Sequence, residues 1–241
     1  RSTFQLGYND WKVDGKTVYT FAAERFALDQ THAINAYIDY PYFIRTGGFI
    51  QKCFILPGSR ITLYPQSVDR GVVTFNDNEM HEVEYLVKDI AGNASTIKLK
   101  VKSSTPRESR PVVSPPVNLL RYDKHSEFNA HNIKIIAEPY NLYDDLDLQY
   151  STSPKRPGGY SVVHHIQNRF TPIHDSLNVW VKPDEELGPH ADKAVLYGIQ
   201  SGAVESEYAD GYVKAKIHAF GDYYLRIDTV PPVIMHISFH S

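Results

Sequence analysis

The sequence has few of the residues that cross-link or staple a small fold. Its 241 residues contain one cysteine, Cys53, so an intrachain disulfide is excluded. Cys53 lies in the stretch 52–56, whose apolar character indicates a buried small side chain rather than a reactive thiol. No run of apolar residues approaches the roughly 20 that a membrane-spanning helix needs. We therefore expect no membrane span in this segment.

Neither sign of charge dominates the chain. It has 25 Lys and Arg against 28 Asp and Glu, with both signs interspersed and a formal net charge of -3. This balance gives no basic surface of the kind that attracts nucleic acid, so we expect no nucleic-acid partner. Hydrophobic residues make up 42% of the chain, which excludes a disordered protein and predicts folded domains with their own cores.

The dominant pattern in the sequence is an alternation of apolar and polar residues, which is typical of half-buried β-strands. At 97–102, three apolar residues alternate with three lysines. At 82–88, three apolar residues alternate with charged ones, namely Val83, Tyr85 and Val87 with Glu82, Glu84 and Lys88. The Asp, Gly and Asn residues between these two runs favour a turn. We therefore predict a β-hairpin over residues 81–102. Similar short runs predict further strands at 49–56, 60–64, 71–75, 133–135, 146–150, 160–166, 177–181, 213–217 and 223–227.

These strands and the turn residues between them predict an all-β fold of two antiparallel β-sandwich domains with Ig-like character. The one exception is 29–38, which predicts a short helix capped by Asp29 and ended before Pro41. The predicted divisions are an Ig-like sandwich at 1–103, a Pro/Ser-rich linker at 104–116, a second sandwich at 117–230, and a joint with the first strand of a truncated third unit at 231–241.

Metal and nucleophile motifs are sparse in the sequence. His218 and Asp222 have the His-x-x-x-Asp spacing of two metal ligands, but no His-x-His follows to complete a zinc site, so they are weak candidates. His164 and His165 are adjacent and would face opposite sides of a strand. There is no Gly-x-Ser-x-Gly elbow and no glycine-rich phosphate loop. We therefore predict no catalytic residues and no cofactor in this segment.

An aromatic cluster surrounds Pro41 and comprises Tyr37, Tyr40, Tyr42 and Phe43. Exposed rings of this kind stack on sugars in carbohydrate-binding modules, whereas sandwich cores also use such side chains. Glycan binding through these four rings is therefore the alternative function that the residues themselves suggest.

Four blocks, at 25–58, 64–96, 141–146 and 220–232, resemble in their order the β-rich region downstream of the catalytic domain in lysostaphin-type, murein endopeptidase-like zinc metallopeptidases of Gram-negative gut anaerobes. The resemblance implies a non-catalytic accessory or spacer region that positions a parent catalytic domain on peptidoglycan. It also implies a periplasmic or cell-envelope location, with cell-wall glycan or an envelope protein as partner. Because the chain starts at Arg1 and stops after a strand-like run, we expect it to be a piece of a longer polypeptide. The zinc-binding pattern of that family belongs to its peptidase domain and maps to no residue here.

Overall fold

The structure is a computed structural model that describes residues 7–22, 34–103 and 115–231. Its contacts divide the chain into two compact units. Unit 1 contains the described residues up to 126 together with 137–148 and 169–175, and unit 2 contains 127–136, 149–168 and the described residues from 176 onwards. The predicted linker at 104–116 and third unit at 231–241 lie almost entirely outside the described residues.

The prediction of an all-β, antiparallel, sandwich-like fold is confirmed. Two short helices are described, α1 (Ile34–Tyr37) and α2 (Tyr40–Thr46). The strands in chain order are β1 (Tyr8–Val13), β2 (Lys16–Ala22), β3 (Gln66–Ser67), β4 (Met80–Lys88), β5 (Ala94–Lys102), β6 (Leu119–Leu120), β7 (Ser126–Ala130), β8 (Ile133–Ala137), β9 (Leu146–Asp147), β10 (Tyr150–Ser153), β11 (Val163–Ile166), β12 (Leu177–Val181), β13 (Ala194–Gly198), β14 (Gly202–Val204), β15 (Ser206–Ala209), β16 (Tyr212–Ile217) and β17 (Gly221–Ile227).

Unit 1 is built on one five-stranded sheet with the order β3-β2-β1-β4-β5, and β6 pairs with β9 separately. The predicted hairpin at 81–102 is confirmed as β4 and β5, with Val83 opposite Leu99. In its turn, the Asp89 carboxylate accepts hydrogen bonds from the backbone N–H groups of Ala91 and Asn93, both at 2.9 Å. Residues within the turn itself therefore satisfy its backbone N–H groups.

The helical region agrees with the prediction at one point and exceeds it at another. Residues 29–33 lie outside the described residues, and α1 ends at Tyr37, before Pro41, as predicted. The second helix was not predicted, because α2 begins at Tyr40 and runs through that proline. Proline is tolerated there because the first turn of a helix has no intrahelical partner for its N–H groups. The Asp39 carboxylate caps α2 by accepting from the Tyr42 N–H at 3.0 Å, and Gly47 ends it with a positive φ of 69°.

The core of unit 1 is aromatic and comprises Tyr19, Phe21, Tyr37, Ile38, Ile61 and Leu63. The strands predicted at 49–56, 60–64 and 71–75 are not formed. Their backbone groups instead make isolated hydrogen bonds to other segments. The Ala22 N–H donates to the Leu63 carbonyl at 2.9 Å, and the Ile55 N–H donates to the Arg70 carbonyl at 2.8 Å. Pro57 and Pro65 lack an N–H and would interrupt the hydrogen-bond ladder of a sheet here, so Ile61 and Leu63 are buried without strand pairing.

Unit 2 contains two five-stranded antiparallel sheets. The β10 sheet has the order β10-β11-β17-β13-β14, and the β12 sheet has the order β15-β16-β12-β8-β7. Leu177, Val179 and Val181 of β12 are fully buried, whereas the intervening Asn178 and Trp180 are not. Leu196 and Leu225 of the β10 sheet are also fully buried. The alternation predicted at 177–181 therefore separates a core face from an outer face, and the outer face carries the polar side chains.

Within the ranges that the structure describes, none of the helices has the length and apolar character required to cross a membrane. The longer of the two described α-helices, α2, has seven residues.

Candidate functional site

A groove of about 750 Å³ lies on the outer face of the β12 sheet in unit 2. This size falls within the range of small-molecule and saccharide sites. Its lining combines one indole ring with hydrogen-bonding side chains of both polarities, which come from β12, from β16 and the residue after it, and from β15 and the residue before it: Asn178, Trp180, Glu205, Glu207, Lys216 and His218.

Strand register places Trp180 at the centre of a row of side chains. Trp180 is directly opposite Lys134 of β8 on one side and Lys214 of β16 on the other, and Lys214 is opposite Glu207 of β15. Directly opposed residues on one face of a sheet lie within contact distance. The row therefore crosses four neighbouring strands, of which only β15 and β16 are consecutive in sequence, and comprises Lys134, Trp180, Lys214 and Glu207.

The two lysines orient the indole without making the groove a cationic site. Their Nζ atoms lie 5.2 Å (Lys134) and 4.7 Å (Lys214) from the centroid of the Trp180 ring, which is within the range of cation–π attraction. Each ammonium is also paired with a carboxylate, Lys134 with Glu127 at 2.9 Å and Lys214 with Asp210 at 2.5 Å. With the charges balanced, the groove offers an indole ring, donors and acceptors, a set that suits hydroxyl groups better than anions.

The structure does not bring the four predicted sugar-binding rings together on one surface. Tyr37 is buried in the core of unit 1, where its ring stacks on Phe21 with centroids 4.2 Å apart. Burial raises the pKa of the Tyr37 hydroxyl well above its ordinary value. Phe43 is half-buried against the same core and contacts Phe49, with ring centroids 4.8 Å apart. Tyr37 and Phe43 therefore act first as packing residues.

The other two rings of that cluster are accessible. Tyr42 is 40% exposed, and Tyr40 lines a smaller pocket of about 290 Å³ in unit 1 with Phe170, Lys52 and Asp144. The Lys52 ammonium donates to the Ala36 carbonyl at 3.2 Å, and burial lowers the pKa of Lys52 below its ordinary value. Tyr40 is therefore the predicted ring that the structure associates with a cavity.

His218 and Asp222 lie on different sheets of unit 2. His218 follows β16 at the rim of the Trp180 groove, whereas Asp222 lies on β17, where its carboxylate is 2.6 Å from Nδ1 of His165. Among the residues that the structure describes, no three His, Cys, Asp or Glu side chains are grouped so that they would hold a metal ion. The sequence spacing of His218 and Asp222 does not become a shared site because the turn between them passes from one sheet to the other.

Two functional candidates were missed by reading along the sequence, Trp180 and the Asp222 partner His165. The alternation at 177–181 contains the signal for Trp180, since it assigns a large aromatic residue to the solvent side of a strand whose other face is core. The pairing of His165 with Asp222 joins residues 57 positions apart, and no local pattern indicates it.

Residues 117–228, a little under half of the chain, match the Zu5-like domain family. The matched range contains β6 to β17 and so includes both sheets of unit 2. No curated protein and no solved structure is significantly similar to the chain. The similarity to the Zu5-like family is one of domain type, and it assigns no ligand to the groove.

Proposed function

We propose that this chain is an accessory, glycan-binding region of an exported cell-envelope metallopeptidase of a Gram-negative bacterium, and that it holds a parent catalytic domain against peptidoglycan. In this role the chain contributes to peptide cross-link cleavage by positioning rather than by chemistry on the peptide bond. The parent and its compartment are supported by the resemblance of the four sequence blocks to lysostaphin-type proteins. The binding role is supported by the Trp180 groove.

The observation that carries the proposal is the arrangement of Trp180 between two charge-paired lysines in an open groove. A sugar presents an apolar C–H face and a rim of hydroxyl groups that donate and accept hydrogen bonds. The indole matches the apolar face, while Asn178, Glu205 and Lys216 offer an amide, a carboxylate and an ammonium to the rim. The site lies on paired strands, so little ordering is needed on binding.

A second glycan contact is favoured by one further observation, the presence of Tyr40 and Phe170 in the pocket of unit 1. Its volume of about 290 Å³ suits a single sugar ring or a short substituent better than a chain. We therefore rank it second to the Trp180 groove. A spacer without ligand is the rival interpretation, and it predicts no wall binding by either site.

Co-sedimentation with purified, insoluble peptidoglycan tests the proposal. The full chain is expected to sediment with the wall, and Trp180→Ala is expected to weaken binding at least about tenfold, which corresponds to roughly 1.4 kcal/mol. Tyr224→Ala is the matched control because Tyr224 is a half-buried aromatic on the outer face of the β10 sheet. Equal sedimentation of the wild type and the Trp180→Ala variant overturns the groove as the binding site.

The remaining outcomes separate the alternatives. A loss of binding in Tyr40→Ala but not in Trp180→Ala transfers the site to unit 1, and no binding by the wild-type chain supports the spacer. The parent assignment has its own test, the sequence upstream of Arg1 in the gene. A region carrying His-x-x-x-Asp followed by His-x-His is expected there, and any other kind of domain refutes the assignment.

A further inference from the structure

A Ser-His-Asp relay is formed on the outer face of the β10 sheet. The His165 Nδ1 atom lies 2.6 Å from Oδ1 of Asp222, and its Nε2 atom lies 2.9 Å from Oγ of Ser153. The three side chains come from the adjacent strands β10, β11 and β17. We infer that Ser153 is a nucleophile, activated by His165 and Asp222, that accepts small acyl groups from esters.

The hydrogen bonds determine which nitrogen of His165 carries the proton. A carboxylate accepts and does not donate, so Asp222 requires N–H at Nδ1 of the neutral ring. The Nε2 atom is then an acceptor, and the Ser153 hydroxyl donates to it. This is the tautomer that a serine nucleophile needs, with the base facing the hydroxyl and the carboxylate holding the ring from behind.

The sheet supports this geometry through its register. His165 is directly opposite Asp222 on the neighbouring strand β17. On the other side, His165 is opposite Ser151, and Ser153 lies two residues further along the same face of β10. A diagonal neighbour of this kind remains within reach of a long side chain such as histidine. The nucleophile and its base are therefore held by paired strands rather than by a mobile loop.

The relay is open to solvent, which distinguishes it from a polar network that serves the core. The side chains of His165 and Asp222 are 33% and 38% exposed, and Ser153 ends an edge strand of the sheet. Water can hydrogen-bond to each of these groups. Folding therefore does not require them to bond to one another, as it would if they were buried. The relay also faces away from the Trp180 groove, which lies on the other sheet of unit 2.

The reaction is an acyl transfer in two stages. The Ser153 Oγ atom forms a bond to the ester carbonyl carbon, its proton passes to Nε2 of His165, and the bond from that carbon to the alcohol oxygen breaks. His165 returns the proton to the departing oxygen. Water then attacks the acyl-serine with His165 as base, which releases the carboxylic acid and restores Ser153.

The scale of the expected activity follows from what the relay contains. A positioned base contributes roughly 10²–10⁴-fold, and oxyanion donors, which the relay itself does not include, contribute a further factor of roughly 10²–10³ in hydrolases. The expected substrate is therefore a small ester with a good leaving group, and acyl-serine formation is a better readout than turnover. Acetyl esters fit best because a small acyl group can reach a nucleophile on an exposed sheet face without an acyl pocket.

The test uses the full chain and p-nitrophenyl acetate, with release of p-nitrophenol and the site of acetylation by peptide mass spectrometry as readouts. Acetyl is expected on Ser153. Ser153→Ala is expected to abolish that product, and His165→Gln to slow it by about 10²-fold. Asp222→Asn is expected to slow it as well. Ser151→Ala is the matched control, because Ser151 lies on the same face of β10, directly opposite His165, and is more exposed.

Two results overturn the inference. One is acetylation of Ser151 or surface lysines at the same rate as Ser153. The other is unchanged Ser153 acetylation in His165→Gln, which would make Ser153 merely accessible. Urea unfolding of each variant separates lost folding from lost chemistry. The pH dependence of Ser153 acetylation, expected in the wild type and absent in His165→Gln, is a readout that a purely structural role of His165 would not move.

Discussion

The two units use the same alternating sequence pattern with different results. In unit 2, Leu177 and Val179 of β12 are fully buried because a second sheet covers that face. In unit 1, Ile97 and Leu99 of β5 alternate just as regularly, yet they are 59% and 57% exposed. Alternation thus specifies that one face of a strand is apolar, and the surrounding layers decide whether that face is buried.

Histidines show the same contrast. His81 in unit 1 is bonded through both ring nitrogens to carboxylates, Nδ1 to Asp14 at 2.7 Å and Nε2 to Asp77 at 3.0 Å. His164 in unit 2 is completely buried, with Tyr150 as the hydrogen-bond partner of its Nδ1 atom at 2.9 Å. The surroundings of His81 favour its charged ring, whereas those of His164 disfavour it. Lowering the pH from mildly alkaline to mildly acidic values therefore has opposite effects on the stability of the two units.

The largest expected effect tests the difference in burial. Leu177→Ala removes a fully buried side chain and should lower the free energy of unfolding of unit 2 by about 3 kcal/mol. Leu99→Ala removes a side chain that is mostly in water and should change unit 1 by less than about 0.5 kcal/mol. The chain has two tryptophans, Trp11 in unit 1 and Trp180 in unit 2, so urea unfolding followed by fluorescence reports on each unit when the other tryptophan is replaced by phenylalanine. Equal losses from both substitutions would contradict the contrast.

The second effect is acid destabilisation of unit 2 through His164. Burial lowers the pKa of His164 from 6.5 to about 4. Between those values the unfolded chain binds a proton that the folded unit does not, so stability falls as the pH falls through this range, by up to about 3 kcal/mol. Urea midpoints at several pH values, monitored through Trp180, measure the slope. His164→Gln should flatten it between pH 6.5 and 4, and an equally steep slope in that variant would refute the assignment.

The third and smaller effect has the opposite sign and belongs to unit 1. Hydrogen bonds that the His81 ring donates to the Asp14 and Asp77 carboxylates raise the pKa of His81 above 6.5, and the same contacts lower the pKa values of both carboxyls below 3.8. The ion pairs of His81 therefore stabilise unit 1 fully between pH 3.8 and pH 6.5. This stabilisation is lost as the pH rises through the raised pKa of His81, and it is also lost in acid as the carboxyls are protonated. Trp11 fluorescence should show a higher urea midpoint at pH 5.5 than at pH 8.5. His81→Asn, which retains a polar side chain, should remove that difference.

The smallest effect concerns the lysine face of β5. Lys98 reaches both Glu82 at 3.0 Å and Glu84 at 2.9 Å, but its side chain is more than half exposed. Ion pairs in such positions contribute little to stability because water and salt screen them. Lys98→Ala should leave the urea midpoint of unit 1 unchanged, and a clear loss would mean that this face is covered in solution.

The parts of the fold that depend on neighbouring residues were predictable. The hairpin at 81–102 followed from two alternating runs and the Asp89 turn, and the core face of 177–181 followed from its alternation. The irregular path of 49–75 was not predictable in this way, because Ile61 and Leu63 enter a core while the prolines of this range disfavour regular pairing. Local pattern reports which side chains avoid water and does not specify where their backbone groups bond.

The candidate sites were less predictable because strand order determines them. The row of Lys134, Trp180 and Lys214 exists because β12 lies between β8 and β16, and the relay exists because β17 returns beside β11. Lys134 precedes Trp180 by 46 positions and Lys214 follows it by 34, so the three side chains meet only through that strand order. The sequence indicated Asp222 as chemically interesting but associated it with His218 rather than His165, since local spacing was the information available.

The exposed apolar face of β5 has a consequence for colloidal behaviour. Among the residues that the structure describes, β5 is the edge strand of its sheet and presents unpaired backbone groups beside Ile97 and Leu99, an arrangement that invites pairing between copies. Lys98, Lys100 and Lys102 alternate with those residues and act as gatekeepers by mutual repulsion between approaching edges. Solutions of this chain should therefore remain clear at low ionic strength and become prone to fibril formation when the lysines are acetylated or screened by salt.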